Sequence, residues 1–278
     1  IGYELFRRFI VRVDYEHREL TLWWPDARSR IAGTKLPLIF DGRDCFITAA
    51  VDGKSGLFRV DTGDDGSLTL FGQFYLDHRP PLELPGLRSF QDGVGGTVAT
   101  LLTRIQSLAI GPFTLQRPLT QLHFAHAGAF ASENVAGNLG VQILRNFVLT
   151  FDYPDQALYL SKSTQFGAVA PYNRSGMLLG VDRDGQIKVA AIDPLSPAAQ
   201  AGLQRRDRLV AVDGKAATPR DFSRISQLLS GAAGTAVTLD IMHHGQSRRL
   251  QLKLQELLPL DGPLSRLPPP GYGSALLR

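Results

Sequence analysis

The chain has a single cysteine, Cys45, among 278 residues. One thiol excludes an internal disulfide and a cysteine-based metal cluster. It fits a reducing compartment and a disulfide-free periplasmic one alike. No apolar stretch approaches the roughly 18 residues that cross a bilayer, so no membrane span is expected. The first residues, Ile1-Gly2-Tyr3-Glu4, lack the basic-then-apolar order of a signal peptide. Lysine and arginine exceed aspartate and glutamate only slightly, 30 against 26, and form neither a run nor a patch interleaved with aromatics. Nucleic acid is therefore not an expected partner. Absent too are the Gly-x-Ser-x-Gly elbow of serine hydrolases and the His-Glu-x-x-His helix of zinc peptidases, and no cofactor is implied. What is present is a chain 44% hydrophobic and 20% charged, apolar enough for packed cores and too weakly charged for disorder. Its length suggests about two domains of ~150 residues each.

An internal repeat organises the first half. Residues 1–22, IGYELFRRFIVRVDYEHRELTL, align without a gap on residues 139–160, LGVQILRNFVLTFDYPDQALYL. Gly2 pairs with Gly140, Arg7 with Arg145, Phe9 with Phe147, and Asp14-Tyr15 with Asp152-Tyr153, at a constant offset of 138 residues. Leu20 and Leu22 pair with Leu158 and Leu160. In each copy a short helical turn, Glu4 to Arg8 or Gln142 to Asn146, leads into an alternating strand, a two-residue turn and a second alternating strand. Residues 1–25 thus read as the end of one structural unit, and residues 32–163 as a complete second one. The offset places an earlier counterpart of Asp61 about 77 residues before Ile1. The expectation is a chain that starts inside its first unit or borrows a partner.

The second unit reads as mostly strand: Leu36 to Phe40, Cys45 to Val51, Leu57 to Val60, Ser67 to Phe71 and Ala99 to Ile110, with a short helix at Phe74 to His78. Its chemical centre is Asp61-Thr62-Gly63, which follows the apolar run Leu57-Phe58-Arg59-Val60 and puts a carboxylate at the tip of a strand. Acid proteolysis needs two carboxylates sharing a proton, because two about 3 Å apart do not both ionise. Asp-Thr-Gly is also an ordinary β-turn sequence. Gly93-Val94-Gly95-Gly96 reads as a flexible hairpin tip. A third segment opens near Asn173-Arg174-Ser175. Its strands are Met177 to Val181, Ile187 to Ile192 and Leu209 to Val212. Ser196 N-caps a short helix, with Pro197 in its first turn and Gly202 ending it. Thr218-Pro219-Arg220-Asp221 caps a helix running to Leu229, and two last strands pair across His244-Gly245. Residues 257–278 form a Pro/Gly-rich tail.

Two resemblances follow. Val60-Asp61-Thr62-Gly63, the segment Asn138-Leu139-Gly140 and the glycine-rich stretch 93–96 resemble the catalytic loop, the strand threaded behind it and the flap of a retropepsin-type aspartic protease lobe. Residues 196–215, SPAAQAGLQRRDRLVAVDGK, resemble a bacterial, protease-associated PDZ domain over residues 172–256. Together they resemble bacterial retropepsin-like proteins with two lobes followed by a PDZ domain. The resemblance implies a mainly β chain: the end of a first lobe (1–25), a retropepsin-like lobe (32–163) and an α+β PDZ domain. It implies an aspartic endopeptidase with Asp61, Thr62 and Gly63 catalytic, and Gly93, Val94, Gly95 and Gly96 as the flap. A polypeptide is the implied substrate. A peptide C-terminus would bind along Gly176, Met177, Leu178, Leu179 and Gly180, beside Phe222, Ile225 and Leu229. A periplasmic or secreted location goes with the family. The second aspartate would come from an N-terminal lobe or, in a homodimer, from another copy of Asp61. Residues 1–22 argue against the homodimer because they already fill the place of a joined lobe. One departure is Asp64-Asp65, two extra carboxylates where a small residue commonly follows the motif.

Other features have bland readings beside the sharp ones. His123 and His126 have an i,i+3 spacing that could hold a metal, but nothing carboxylate-rich surrounds them, and packing or surface histidines are the expectation. Cys45 is expected to fill a strand interior rather than attack a substrate. Phe222, Ile225 and Leu229 divide between a core face and a groove. Trp23-Trp24-Pro25 suits interface packing better than a ligand box. The rival to the protease is a non-catalytic scaffold acting through the PDZ groove.

Overall fold

The computed structural model describes residues 2–78, 86–93, 96–123 and 134–260. The chain divides into two compact units, the first built mainly from residues up to 170 and the second mainly from those beyond. Alternating apolar positions make strand the main element of the first unit. Its helix α1 (Tyr3–Arg8) leads into β1 (Ile10–Asp14) and β2 (Glu19–Trp23), followed by a 3-10 turn at Pro25–Arg30. Then come β3 (Thr34–Pro37), β4 (Ile39–Asp41), β5 (Asp44–Val51), β6 (Lys54–Val60), β7 (Leu68–Phe71) and α2 (Gly72–His78). Further along the chain comes β8 (Leu87–Gly93), and the first unit goes on with β9 (Gly96–Arg104), β10 (Ser107–Ile110), β11 (Phe113–Gln116), β12 (Leu119–His123) and β13 (Gly137–Leu139). It closes with α3 (Val141–Leu144), β14 (Phe147–Asp152) and β15 (Ala157–Lys162).

Both copies of the repeat share one antiparallel sheet, in the order β2-β1-β14-β15-β3. A larger sheet runs β11-β10-β5-β6-β13-β7-β12-β9, with β8 next to β9 and β4 beside β5. Between the sheets Val11, Phe58, Leu68, Leu70, Phe147, Leu149 and Leu158 are buried in one continuous cluster.

The structure departs from the sequence reading in three places. Ala99 to Ile110 is not one strand but β9 and β10, parted at Ile105-Gln106, where the chain leaves β12 for β5 and β11. The turn inside each repeat copy has four residues rather than two. Asp14 accepts the backbone N–H of His17 at 3.2 Å, and Asp152 accepts that of Asp155 at 3.2 Å. The fourth residue, Arg18 or Gln156, then turns through φ 58° or 47°. A side chain that bonds three residues ahead stabilises the longer turn. The segment expected as one strand from Leu36 to Phe40 is two, because Pro37 has no N–H to continue a ladder. β3 stays with β15, while β4 crosses to β5.

The second unit has its own core. Its strands are β16 (Met177–Val181), β17 (Ile187–Ile192), β18 (Arg208–Val212), β19 (Lys215–Ala216), β20 (Ala236–His243) and β21 (Gln246–Lys253). They lie in the order β16-β17-β18-β20-β21, with β19 on β18. Two helices, α4 (Pro197–Gln200) and α5 (Phe222–Leu229), complete it. Ser196 caps α4 by accepting the N–H of Ala199 at 3.4 Å, and Gly202 beyond it takes φ 79°. Thr218 and Asp221 form a reciprocal capping box ahead of α5. His244 and Gly245, at φ 46° and 82°, turn the last hairpin. No described helix is long and apolar enough to cross a membrane.

Candidate active site

Strand β6 buries Phe58 and Val60 and emerges at Asp61. What fixes the loop after it is β13, threaded between β6, to which it is parallel, and β7, to which it is antiparallel. Leu139 accepts the N–H of Asp61 at 3.1 Å. Gly140 donates to the carbonyl of Ser67 at 2.9 Å, Val141 to that of Asp64 at 2.7 Å and Gln142 to that of Gly66 at 2.9 Å. A Cβ on Gly140 would stand 2.5 Å from the Gly66 carbonyl oxygen, so glycine is what permits this approach. The loop from Asp61 to Gly66 is thus held from behind by main chain, which positions a carboxylate better than side chains alone.

The Asp61 carboxylate is half-buried; Oδ1 accepts the N–H of Gly63 at 3.0 Å and Oδ2 faces Asn138 Nδ2 at 3.5 Å. Thr62 and Gly63 are exposed. Asp65 points to solvent, but Asp64 is half-buried and accepts the N–H of Gly66 at 2.8 Å. Burial holds the Asp64 carboxyl above its ordinary range; the Gly66 N–H opposes this, and the charges of Asp61 and Asp65 add to it. The folded state binds this proton more tightly than the unfolded chain, so the stabilisation is present in acid and is lost as pH rises through the folded pKa. Asp64→Asn is therefore expected to raise stability near neutrality relative to the parent and to flatten its dependence on pH. Urea unfolding at pH 5 and pH 7.5 measures this. Equal parent and variant curves at both values would remove Asp64 from the account.

Tyr15, which the sequence reading left without a role, lies close by. Its hydroxyl is buried with no hydrogen-bond partner among the described residues, and burial together with the Asp61 charge pushes its pKa up to about 12. The available signal was the Asp-Tyr pair present in both copies of the repeat. The other copy is satisfied, since Tyr153 donates to Cys45 Sγ at 3.3 Å. Cys45 itself is buried, and burial raises its thiol pKa, which suits a strand interior and not a nucleophile.

The remaining expectations fall as follows. Gly93 ends β8 and Gly96 opens β9, while Val94 and Gly95 lie outside the described residues. His123 is buried at the end of β12, and burial lowers its pKa; Phe124, Ala125 and His126 lie outside the described residues. Among the described residues no three His, Cys, Asp or Glu side chains are grouped to hold a metal. Trp24 packs on Phe9 with ring centroids 4.6 Å apart.

In the second unit β16 is an edge strand, paired among the described residues with β17. Gly176, at φ 70°, packs so tightly on Ser196 that a Cβ would overlap it. Leu178, Leu179 and Gly180 are partly exposed. Met177, Ile225 and Leu229 are core residues, and Phe222 packs half-buried against them. The side chains divided between core and groove therefore go to the core at 225 and 229.

Residues 188–241 match the PDZ domain family. The chain is 32% identical over 71 residues to a probable CtpA-like serine protease of Staphylococcus haemolyticus, a stretch that is 26% of this chain and 14% of that one. It therefore spans only a small part of that relative. Among solved structures, the photosystem II D1 C-terminal processing protease is 26% identical over 34% of this chain and 25% of its own, with a TM-score of 0.29. A retropepsin-like aspartic protease from Rickettsia conorii is 15% identical over 46% of this chain and 87% of its own, with a TM-score of 0.32. The chain is mainly β, and its second unit contains a PDZ domain.

Proposed function

We propose that this chain is part of an aspartic endopeptidase whose PDZ domain recruits or gates polypeptide substrate. Residues 32–163 are read as a retropepsin-like lobe, 1–25 as the end of a preceding one, and 172–256 as the PDZ domain. The observation that carries the reading is the Asp61 carboxylate at a loop tip, fastened from behind by the threaded strand β13. Paired with a second aspartate, one carboxylate acts ionised as general base on a water between them. The other, protonated, donates to the scissile carbonyl, and the two titrate as a pair. Thr62, exposed beside Asp61, would brace the loop across the junction with the preceding lobe. The hairpin of Gly93, Val94, Gly95 and Gly96 would close over the peptide and exclude water. On the PDZ domain a peptide would add as a strand along the open edge of β16, its terminal carboxylate near the N–H groups following Gly176.

The rival is a peptide-binding scaffold that uses β16 alone, favoured by the PDZ match over residues 188–241. The test is cleavage of an unfolded polypeptide between pH 4 and 8 by the protein expressed from its gene's own start codon. Cleavage blocked by a peptide with a hydroxyethylene in place of the scissile bond, and indifferent to a fluorophosphonate, is the expected result. Peptide binding without cleavage supports the scaffold; block by the fluorophosphonate points to serine chemistry instead.

A further inference from the structure

Met177 opens β16 opposite Ile192 of β17, and its main-chain polar groups face away from β17. Asp193 donates to the Gly176 carbonyl at 2.8 Å, so Gly176 bonds inward, and alternation turns the N–H and C=O of Met177 outward. Both are taken by side chains from the segment just before. Ser175 Oγ accepts the Met177 N–H at 3.2 Å, and Asn173 Nδ2 donates to the Met177 carbonyl at 2.8 Å. Asn173 Oδ1 accepts both the N–H and the hydroxyl of Ser175, at 3.0 and 2.6 Å. That leaves the lone pairs of the Ser175 hydroxyl for Met177.

The same segment is strapped to the end of α5 and to the residues that follow β21. Arg174 donates its N–H to the Leu229 carbonyl at 2.8 Å, and its guanidinium donates to the carbonyls of Ser230 and Gly231, each at 3.2 Å. Its Nε donates to Glu256 Oε2 at 3.0 Å, and the guanidinium lies over the Tyr172 ring, 4.6 Å from the centroid. The Tyr172 hydroxyl donates to Glu256 Oε1 and accepts the N–H groups of Leu257 and Leu258, each at 2.8 Å. Tyr172 and Ser175 are buried, whereas the Glu256 side chain, the shared partner of Tyr172 and Arg174, is 35% exposed. The fastening therefore runs through one carboxylate that solvent reaches.

We infer that residues 172–175 are an autoinhibitory lid on the β16 groove, held shut by Glu256 over the end where a peptide's terminal carboxylate would sit. The inference rests on the PDZ groove reading given above and adds how that groove is regulated. The N–H of Met177 is the first of those following Gly176, and Ser175 Oγ stands on it in place of the peptide carboxylate. An ionised carboxylate accepts an N–H roughly twice as strongly as a neutral hydroxyl does, so a peptide displaces Ser175 once Arg174 gives way. Because only the open form takes the peptide, the closed lid weakens apparent affinity in proportion to the fraction of molecules that are open. Releasing Arg174 and Tyr172 from Glu256 removes that penalty.

Capture of a pool of random decapeptides with free C-termini tests it, with the full chain as parent, as Glu256→Gln and as Tyr172→Phe. Glu256→Gln keeps the side chain's shape and removes the charge that holds Arg174. Tyr172→Phe keeps the ring beneath Arg174 and removes the hydroxyl that holds Glu256, Leu257 and Leu258. At least ~10-fold tighter capture by the variants is expected, and it is lost when the peptides end in amides. A merely structural contact would weaken capture when removed, so equal or weaker capture by variants with the parent's circular dichroism overturns the lid. Amide exchange in the parent decides the same point without a substitution. Faster exchange at Leu257 and Leu258 on saturation with the pool supports opening, and unchanged or slower exchange overturns it. Capture by neither parent nor variants overturns the groove reading itself, and the lid with it.

Discussion

On the proposed aspartic reading, Asp61→Asn is expected to lower kcat for peptide cleavage by about 10³-fold or more, with KM changed little, when the assembled protein is assayed on a peptide substrate. The expectation comes from what the substitution keeps and what it removes. The amide oxygen of Asn still accepts the Gly63 N–H that Asp61 Oδ1 accepts at 3.0 Å, so the loop keeps its shape and its fastening to Leu139 and Gly140. Only the ionisable group is lost, and with it the sharing of one proton between two carboxylates. Positioned acid–base groups typically contribute 10²- to 10⁴-fold, and groups that act as a unit fail together when one is removed. A fall in kcat at constant KM is the signature of an interaction made in the transition state. A rise in KM alone would instead make Asp61 a substrate contact. Unchanged kinetics would end the aspartic mechanism and move the cleavage chemistry to other residues. Melting temperature provides the control, since the Gly63 N–H bond is kept and only the long contact of Oδ2 with Asn138 Nδ2, 3.5 Å, is lost.

Much of this arrangement was legible in one dimension. The offset shared by Gly2 and Gly140, and by Tyr15 and Tyr153, is a property of residue order, so the duplication could be read directly. The same holds for the capped helices of the second unit, where Ser196, Gly202 and Thr218 act on backbone groups within a few residues of themselves. The four-residue turns were missed because Asp14 and Asp152 decide them through a side-chain bond that alternation of apolar residues does not encode. Tyr15 was missed for a different reason. Its hydroxyl acquires meaning only from burial, from the nearby charge of Asp61 and from the contrast with the satisfied Tyr153. The pairing of β1 with β14 is likewise a register, and register depends on which strands meet. For Ile225 and Leu229 the helical spacing was visible while the direction of the face was not. Both are buried, and only Phe222 stays partly open at the edge of the cluster.

Gly137→Ala is expected to destabilise the first unit by about 3 kcal/mol or more, at the upper end of what overpacking costs. The added Cβ would stand 1.8 Å from the carbonyl oxygen of Thr69, 2.9 Å from its carbonyl carbon and 3.3 Å from Cα of Leu70. All three atoms are backbone, so no side chain can swing aside. β13 is flanked on its other side by β6, where Gly137 lies opposite Phe58, so relief on one ladder opens the other. A unit of roughly 150 residues loses about 2–4 °C per kcal/mol, which puts the expected fall in Tm at roughly 6–12 °C. The two tryptophans, Trp23 and Trp24, both belong to the first unit. Tryptophan fluorescence therefore follows that unit alone, while peptide binding by the PDZ domain reports on the second and is expected to be unchanged. Gly42→Ala is the matched comparison. At φ 61° with no atom within 4 Å of its added Cβ, it carries only the local backbone penalty of about 1 kcal/mol. A Gly137→Ala chain melting with the parent, or with Gly42→Ala, would mean that β13 is not clamped between β6 and β7. The Asp61 loop would then lack the support that makes its carboxylate a candidate for catalysis.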